Sequence, residues 1–151
     1  MLDFELTEEQ QALVDGARRF TKERIIPVAA KCDREHSFPN DVFKEAHALG
    51  FVVPCVETEY GGSGMTEIDN VLLTEELAYG CTGIQTSITA NTLAATPIMI
   101  GGNEAQKKKY LGMLTAEPIF AAYAITEPGA GSDAAALSTR ATTLLARTRG
   151  L

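Results

Sequence analysis

Apolar positions recur along most of this chain at the three-to-four-residue spacing of an α-helix, so the pattern predicts a mainly helical protein. A Thr-x-x-Gln capping box, "TEEQ" at Thr7, opens the first helix, and Leu13, Ala17 and Phe20 form its apolar stripe. Pro27 interrupts the pattern, so a break, or a kink into a second short helix through Cys32, is expected there. "FPNDVFKEAHALG" forms the next unit. Asn40 or Asp41 can cap it, Val42, Phe43, Ala46 and Leu49 make its apolar face, and Gly50 stops it. "FVVPCVETEYGGSGM" reads as a loop whose Phe51 to Val53 tuck into the core.

A further helix is expected from about Thr66 to Tyr79, with Ile68, Val71, Leu72 and Leu77 facing inward. The turn "GCTG" leads into a helix from Ile84 to about Ile100 that is apolar around its whole girth, the mark of a buried or cavity-lining helix. "NEAQ" at Asn103 is a second capping box and opens an amphipathic helix through Leu114. After Pro118 the period changes: "IFAAYAI" is short, apolar and aromatic and reads as a strand, followed by the loop "TEPGAGSD". In the remainder, Ala134 to Leu137 accept helix, whereas Thr139, Thr142 and Thr143 favour strand. The division this suggests is a helical domain over 1–117 and the start of a β-domain over 118–151.

Composition narrows the function. The 151 residues suit one domain of ordinary size, and 45% hydrophobic content is enough to bury a core. A formal net charge of −7 argues against a general nucleic-acid binder, and the short basic run Lys107 to Lys109 reads as a solvated helix face. No uninterrupted apolar run is long enough to cross a bilayer. The acidic start "MLDFELTEEQ" lacks the basic, Ser-rich look of a transit or signal peptide, so a bacterial cytoplasm is expected, with the mitochondrial matrix as the alternative. Cys32, Cys55 and Cys81 are isolated and read as free, buried or half-buried thiols. His36 and His47 are too few for a metal site or a His-based triad, and read as surface or loop residues.

The chemistry concentrates in "AITEPGAGSD", residues 124 to 133. Gly129 and Gly131 allow close backbone approach and can turn consecutive N–H groups towards an anion. Thr126 and Ser132 add neutral hydroxyls, and Tyr123 adds a flat apolar face. The carboxylates of Glu127 and Asp133 do not suit naked phosphate recognition and read as structural. The stretch is neither G-x-G-x-x-G nor a Walker loop. Taken alone, the pattern favours a structural turn over a cofactor loop.

"AITEPGAGSDAAA" nevertheless resembles the signature of the flavin-dependent acyl-CoA dehydrogenases. So do "LTEEQ", "ERIIPVAA" at 23 to 30, "EELAYGCTGIQT" at 75 to 86 and "GNEAQKKKYL" at 102 to 111, in the family's order and spacing. The resemblance covers roughly residues 3 to 141 and is strongest to the medium-chain members. It implies the N-terminal helical bundle of that fold, followed by the first strand and FAD loop of an incomplete β-domain.

It also implies the site. Tyr123, Ile125 and Thr126 would lie near the isoalloxazine of FAD, with Thr126 bonded to its polar edge. Gly131 and Ser132 would approach the pyrophosphate, and Ser132 would also meet the CoA part of the substrate. Gln85, Thr86, Thr89 and Leu93 would line the acyl-chain cavity. Thr89 departs from the medium-chain pattern, which has glutamate there, and this changes the cavity's polarity and shape.

The implied reaction is α,β-dehydrogenation of a fatty acyl-CoA, with a carboxylate taking the α-proton and flavin taking the β-hydrogen. An electron-transferring flavoprotein would accept the electrons, and the family commonly forms homo-oligomers. The family's later β-domain, with a Trp-Ile-Thr/Ser segment on the other side of the flavin, and its second helical domain, which bears the catalytic glutamate in medium-chain enzymes, are not matched. From about Thr142 the tail "TTLLARTRGL" no longer resembles the family. The sequence therefore reads as an N-terminal portion, of the kind a frameshift, a truncated gene model or an alternative transcript produces. No catalytic residue is nominated, and weak or no retention of FAD is expected. Two other readings are a helical interaction module that pairs with a full-length homologue, and a related flavoprotein such as an acyl-CoA oxidase or nitroalkane oxidase.

Overall fold

The computed structural model describes residues 5–142. Seven α-helices carry these residues: α1 Glu8–Phe20, α2 Ile26–Glu35, α3 Asn40–Ala48, α4 Glu67–Gly80, α5 Thr82–Thr89, α6 Asn91–Gly101 and α7 Glu104–Ala116. α1 packs on α4, α4 on α5, and α6 on α7. The core gathers Phe20, Ile25, Phe43, Val52, Val56, Leu73, Leu77, Ile88 and Leu111 from all parts of the bundle.

Three helices begin with reciprocal caps. Thr7 with Gln10 and Asn103 with Gln106 are the two boxes expected from sequence. Thr66 with Asp69 is a third, made with the shorter acid in place of Glu or Gln. Gln10 also donates from Nε2 to Asp69 Oδ1 at 3.0 Å, so the first and third of these N-termini are tied together.

The chain passes Pro27 without a break. A single π-helical turn, Thr21–Ile25, precedes α2, and the Ile26 N–H reaches back to the Thr21 carbonyl. The wider turn relieves the clash that a proline ring makes with the carbonyl four residues earlier. This turn lies on α4: Thr21 Oγ1 donates to the Glu76 carbonyl at 2.9 Å, and Arg18 pairs with the Glu76 carboxylate. Gly80 permits the contact, since a Cβ there would stand 2.6 Å from Thr21 Cγ2 and 3.0 Å from Ile25 Cγ2.

Several expectations are corrected. α3 has Pro39 as its N-cap residue with no side-chain cap, because Asn40 already lies in the helix and turns its amide to the Phe38 carbonyl. Val42, Phe43 and Ala46 are buried as expected, but Leu49 sits at the frayed end of α3 and is exposed. Gly50 does take the left-handed conformation of a helix stop, at φ 75°. Within α4 the buried residues are Leu73 and Leu77, whereas Ile68 and Val71 face outward. That helix is apolar on two sides, so spacing alone does not fix which side meets the core.

The single helix expected from Ile84 to Ile100 is two, α5 and α6, meeting at Ala90. Thr89 Oγ1 donates back to the Gln85 carbonyl at 3.3 Å, and the Leu93 N–H bonds Ala90 three residues back, so the regular ladder lapses there. The girth of α6 is not wholly buried: Leu93 is 61% and Ile100 83% exposed. His47 lies on α3, half-buried, with Nε2 3.1 Å from the Leu114 carbonyl, rather than on the surface or in a loop.

The expected strand over 119–125 does not form. Among the described residues the one β-bridge is Glu127 with Ala130, because no second segment lies alongside 119–125 to supply ladder bonds. Ala134–Ala136 makes a 3-10 turn. The divergent tail lies outside the described residues beyond Thr142. The three cysteines are free and half-buried, and burial, then the nearby Glu67 carboxylate, pushes the Cys55 thiol up to about 11. Among the described residues, no helix is long and apolar enough to cross a membrane.

Candidate functional site

A cleft of about 320 Å³ opens between α4 and the α5–α6 joint. It brings together Gln85, Thr86, Thr89 and Leu93, four positions spaced so that one side of the α5–α6 run presents them together. Gln85 is buried and its amide is fixed on both sides: Nε2 donates to Thr89 Oγ1 at 2.9 Å, and Oε1 accepts from Thr86 Oγ1 at 3.4 Å. The Thr89 hydroxyl in turn donates to the Gln85 carbonyl. The remaining lining comes from Ala90, Thr92, Asn70 and Thr74. Every side chain round the cleft is uncharged.

The motif residues lie apart from this cleft, and none of Tyr123, Ile125, Thr126, Gly131 or Ser132 lines it. Two anchors attach the segment that carries them to the helices. The Asn91 side chain, 1% exposed, donates from Nδ2 to the Ile119 carbonyl at 2.8 Å and accepts from the Ala121 N–H at 2.9 Å. Phe120 stacks against Phe43 with ring centroids 4.3 Å apart and meets the edge of Phe38 at 5.1 Å.

Beyond these anchors the chain folds on itself. Glu127 and Ala130 exchange backbone bonds of 2.9 and 3.1 Å across Pro128 and Gly129, a proline-led turn. The Glu127 carboxylate then accepts from the Ser138 N–H and hydroxyl and from the Thr139 N–H, all within 2.9 Å. Hydrogen bonds from Thr139, then from Ser138, hold this carboxyl down at about 2. Glu127 is thus a clasp for its own loop.

The outer face of the loop is open. Tyr123, Thr126, Gly131 and Ser132 are exposed and Ile125 is half-buried. Among the described residues the Thr126 and Ser132 hydroxyls have no hydrogen-bond partner. Gly129 and Gly131 do not take positive φ, and a Cβ at either would meet nothing within 4 Å. Nothing within the described chain requires these two glycines. With no left-handed residue in the loop, its consecutive N–H groups do not form the anion nest expected from sequence, and what it leaves open is bare backbone beside two free hydroxyls.

Two groups of contributors escaped the sequence reading. Asn70 and Thr74 come from α4 and join the cleft only through tertiary packing. Asn91 was also missed: an amide in an otherwise apolar stretch is a signal, but its partners 28 and 30 residues away could not be read.

Residues 7–118, the helical body that carries the cleft, match the family described as acyl-CoA dehydrogenase, N-terminal domain. The chain belongs to the acyl-CoA dehydrogenase family. It is 48% identical over 139 residues to the Caenorhabditis briggsae protein named "Probable medium-chain specific acyl-CoA dehydrogenase 2, mitochondrial", a match covering 92% of this chain and 34% of that one. It superposes on glutaryl-coenzyme A dehydrogenase in its glutaryl-CoA complex with a TM-score of 0.81 at 35% identity, covering 91% of this chain and 36% of the other. It superposes on the FAD complex of PigA with a TM-score of 0.79 at 32% identity, covering 88% and 36%. The chain spans about a third of the length of the curated relatives it matches.

Proposed function

We propose that this chain forms the helical wall of an FAD-dependent dehydrogenase that converts a fatty acyl-CoA to the trans-2-enoyl-CoA, as in β-oxidation. Residues 1–117 act as the helical domain, and 118–151 begin the flavin-facing β-domain. One observation carries the reading. Gln85, Thr86, Thr89 and Leu93, the positions assigned to the acyl cavity by resemblance, close round a single cleft.

The roles follow from position. The pinned Gln85 amide and the Thr86 and Thr89 hydroxyls set the shape of the cleft, and exposed Leu93 offers apolar surface to the acyl chain. FAD, when bound, supplies the two-electron acceptor for the Cα–Cβ oxidation. Tyr123 and Ile125 give apolar surface to its ring, Thr126 donates to the ring's polar edge, and Gly131 and Ser132 serve the pyrophosphate. Ser132 also serves the CoA portion. Glu127 is engaged by Ser138 and Thr139, so the base for the α-proton is not sought there. An electron-transferring flavoprotein takes the electrons, and the working protein is a homo-oligomer.

Titration of the isotope-labelled protein with octanoyl-CoA and with free CoA tests the reading. Shifts at Gln85, Thr86, Thr89 and Leu93 with the thioester alone are expected, and an unchanged spectrum at those residues would sink it. The flavin loop presents one face only, so weak FAD retention by the 151 residues is expected, and a near-stoichiometric yellow spectrum after purification would contradict that. A second reading, a helical module pairing with a full-length homologue, draws on the exposed Ile68, Val71, Tyr79 and Ile100. Co-purification with such a homologue would favour it.

A further inference from the structure

Apart from Thr92, whose hydroxyl donates to the Val52 carbonyl at 3.5 Å, the polar groups round the cleft fall into two sets. Gln85, Thr86 and Thr89 satisfy one another at its floor. Asn70 and Thr74, one turn apart on the same face of α4, are half-buried and their side chains have no hydrogen-bond partner among the described residues. An alkyl chain that reached α4 would strip water from an amide and a hydroxyl and return nothing, which is the costly case for a polar group. A chain carrying its own hydroxyl or keto oxygen would replace that water. No cation lines the cleft, so a distal carboxylate would have no counter-charge.

We infer that Asn70 and Thr74 are specificity-determining residues, and that the cleft selects short, uncharged acyl thioesters bearing a distal hydrogen-bonding oxygen over longer saturated ones. The inference rests on the reading of this cleft as the acyl site. Sites built to bond a substrate's oxygen reject the analogue that lacks it far more strongly than apolar pockets reject a missing methylene.

The test is binding of butyryl-CoA, 4-hydroxybutyryl-CoA, octanoyl-CoA and succinyl-CoA to the protein, followed by calorimetry and by the side-chain amide resonances of Asn70 and Gln85. The hydroxyl-bearing thioester is expected to bind roughly tenfold or more tighter than butyryl-CoA and to shift the Asn70 amide. Asn70→Leu and the near-isosteric Thr74→Val are each expected to bring that ratio towards one. Tightest binding by octanoyl-CoA or succinyl-CoA, with the Asn70 amide unmoved, would overturn the inference and leave the acyl cleft standing. Failure of every thioester to shift Gln85 or Asn70 would overturn both.

Discussion

Residues 7–116 and residues 118–142 are held by different means. The helical body owes its order to a shared core, with Leu73, Leu77, Ile88 and Leu111 wholly buried and contributed by three different helices. The segment after it has almost no core of its own, and Ala130 alone of its residues is buried. It is fixed by point contacts: the Asn91 amide, the Phe120 ring and the Glu127 clasp. Burial stabilises in proportion to area and tolerates small shifts, whereas a few hydrogen bonds fix direction while leaving most of the surface wet. The body is therefore the scaffold, and the segment is a largely exposed stretch pinned to it at a few points.

Four substitutions and one condition would break or sharpen that contrast. Leu77→Ala should have the largest effect, costing about 2–5 kcal/mol through the cavity it leaves, and urea denaturation should report it as loss of the whole helical signal. Asn91→Ala should cost about 1–3 kcal/mol, since the Ile119 carbonyl and Ala121 N–H lose their partner. Its signature should be faster amide exchange and proteolysis over 119–126, and equal loss throughout the body would erase the distinction drawn here. Thr66→Ala removes one cap of α4 and should cost about 1 kcal/mol, seen as a lowered midpoint with an unchanged slope.

Acid should loosen the segment through Glu127, and in the body it should also weaken the Thr66–Asp69 cap, whose Asp69 carboxylate is held below its ordinary range by hydrogen bonds from Thr66 and Gln10. The Glu127 carboxyl is lowered from an ordinary 4.5 to about 2, so its clasp is fully present above the ordinary value and is lost as pH falls through about 2. Glu127→Gln should loosen 127–139 at neutral pH, with no change in helix content by circular dichroism. This is the smallest effect, because the group is exposed.

The same contrast explains what was legible in the sequence. Capping boxes at Thr7 and Asn103 could be read because both partners lie within one turn, while the Thr66 box hid behind an aspartate. The inward tuck of Phe51 to Val53 followed from an apolar run between the Gly50 stop and Pro54. The outward facing of Ile68 and Val71 could not be read, because only packing decides between two apolar sides of a helix. The near wall of the cleft, from Gln85 to Leu93, was reached through the family resemblance, since the pattern itself showed only a helix apolar around its girth. Its far wall, Asn70 and Thr74, required knowing that α4 lies alongside α5. "IFAAYAI" has strand composition, but a strand is a relation between two segments, and its partner is not among the described residues.

The Asn91 side chain has a further consequence. A neighbouring strand would grip residue 120 by taking the N–H after it and giving an N–H to the carbonyl before it. Asn91 makes that same pair of bonds, at Ala121 and Ile119, from the end of a helix. A side-chain amide thus makes, from a helix, the pair of bonds that one residue of a parallel neighbour would make, and it occupies hydrogen-bonding groups at 119 and 121 that would otherwise be open to a stray chain.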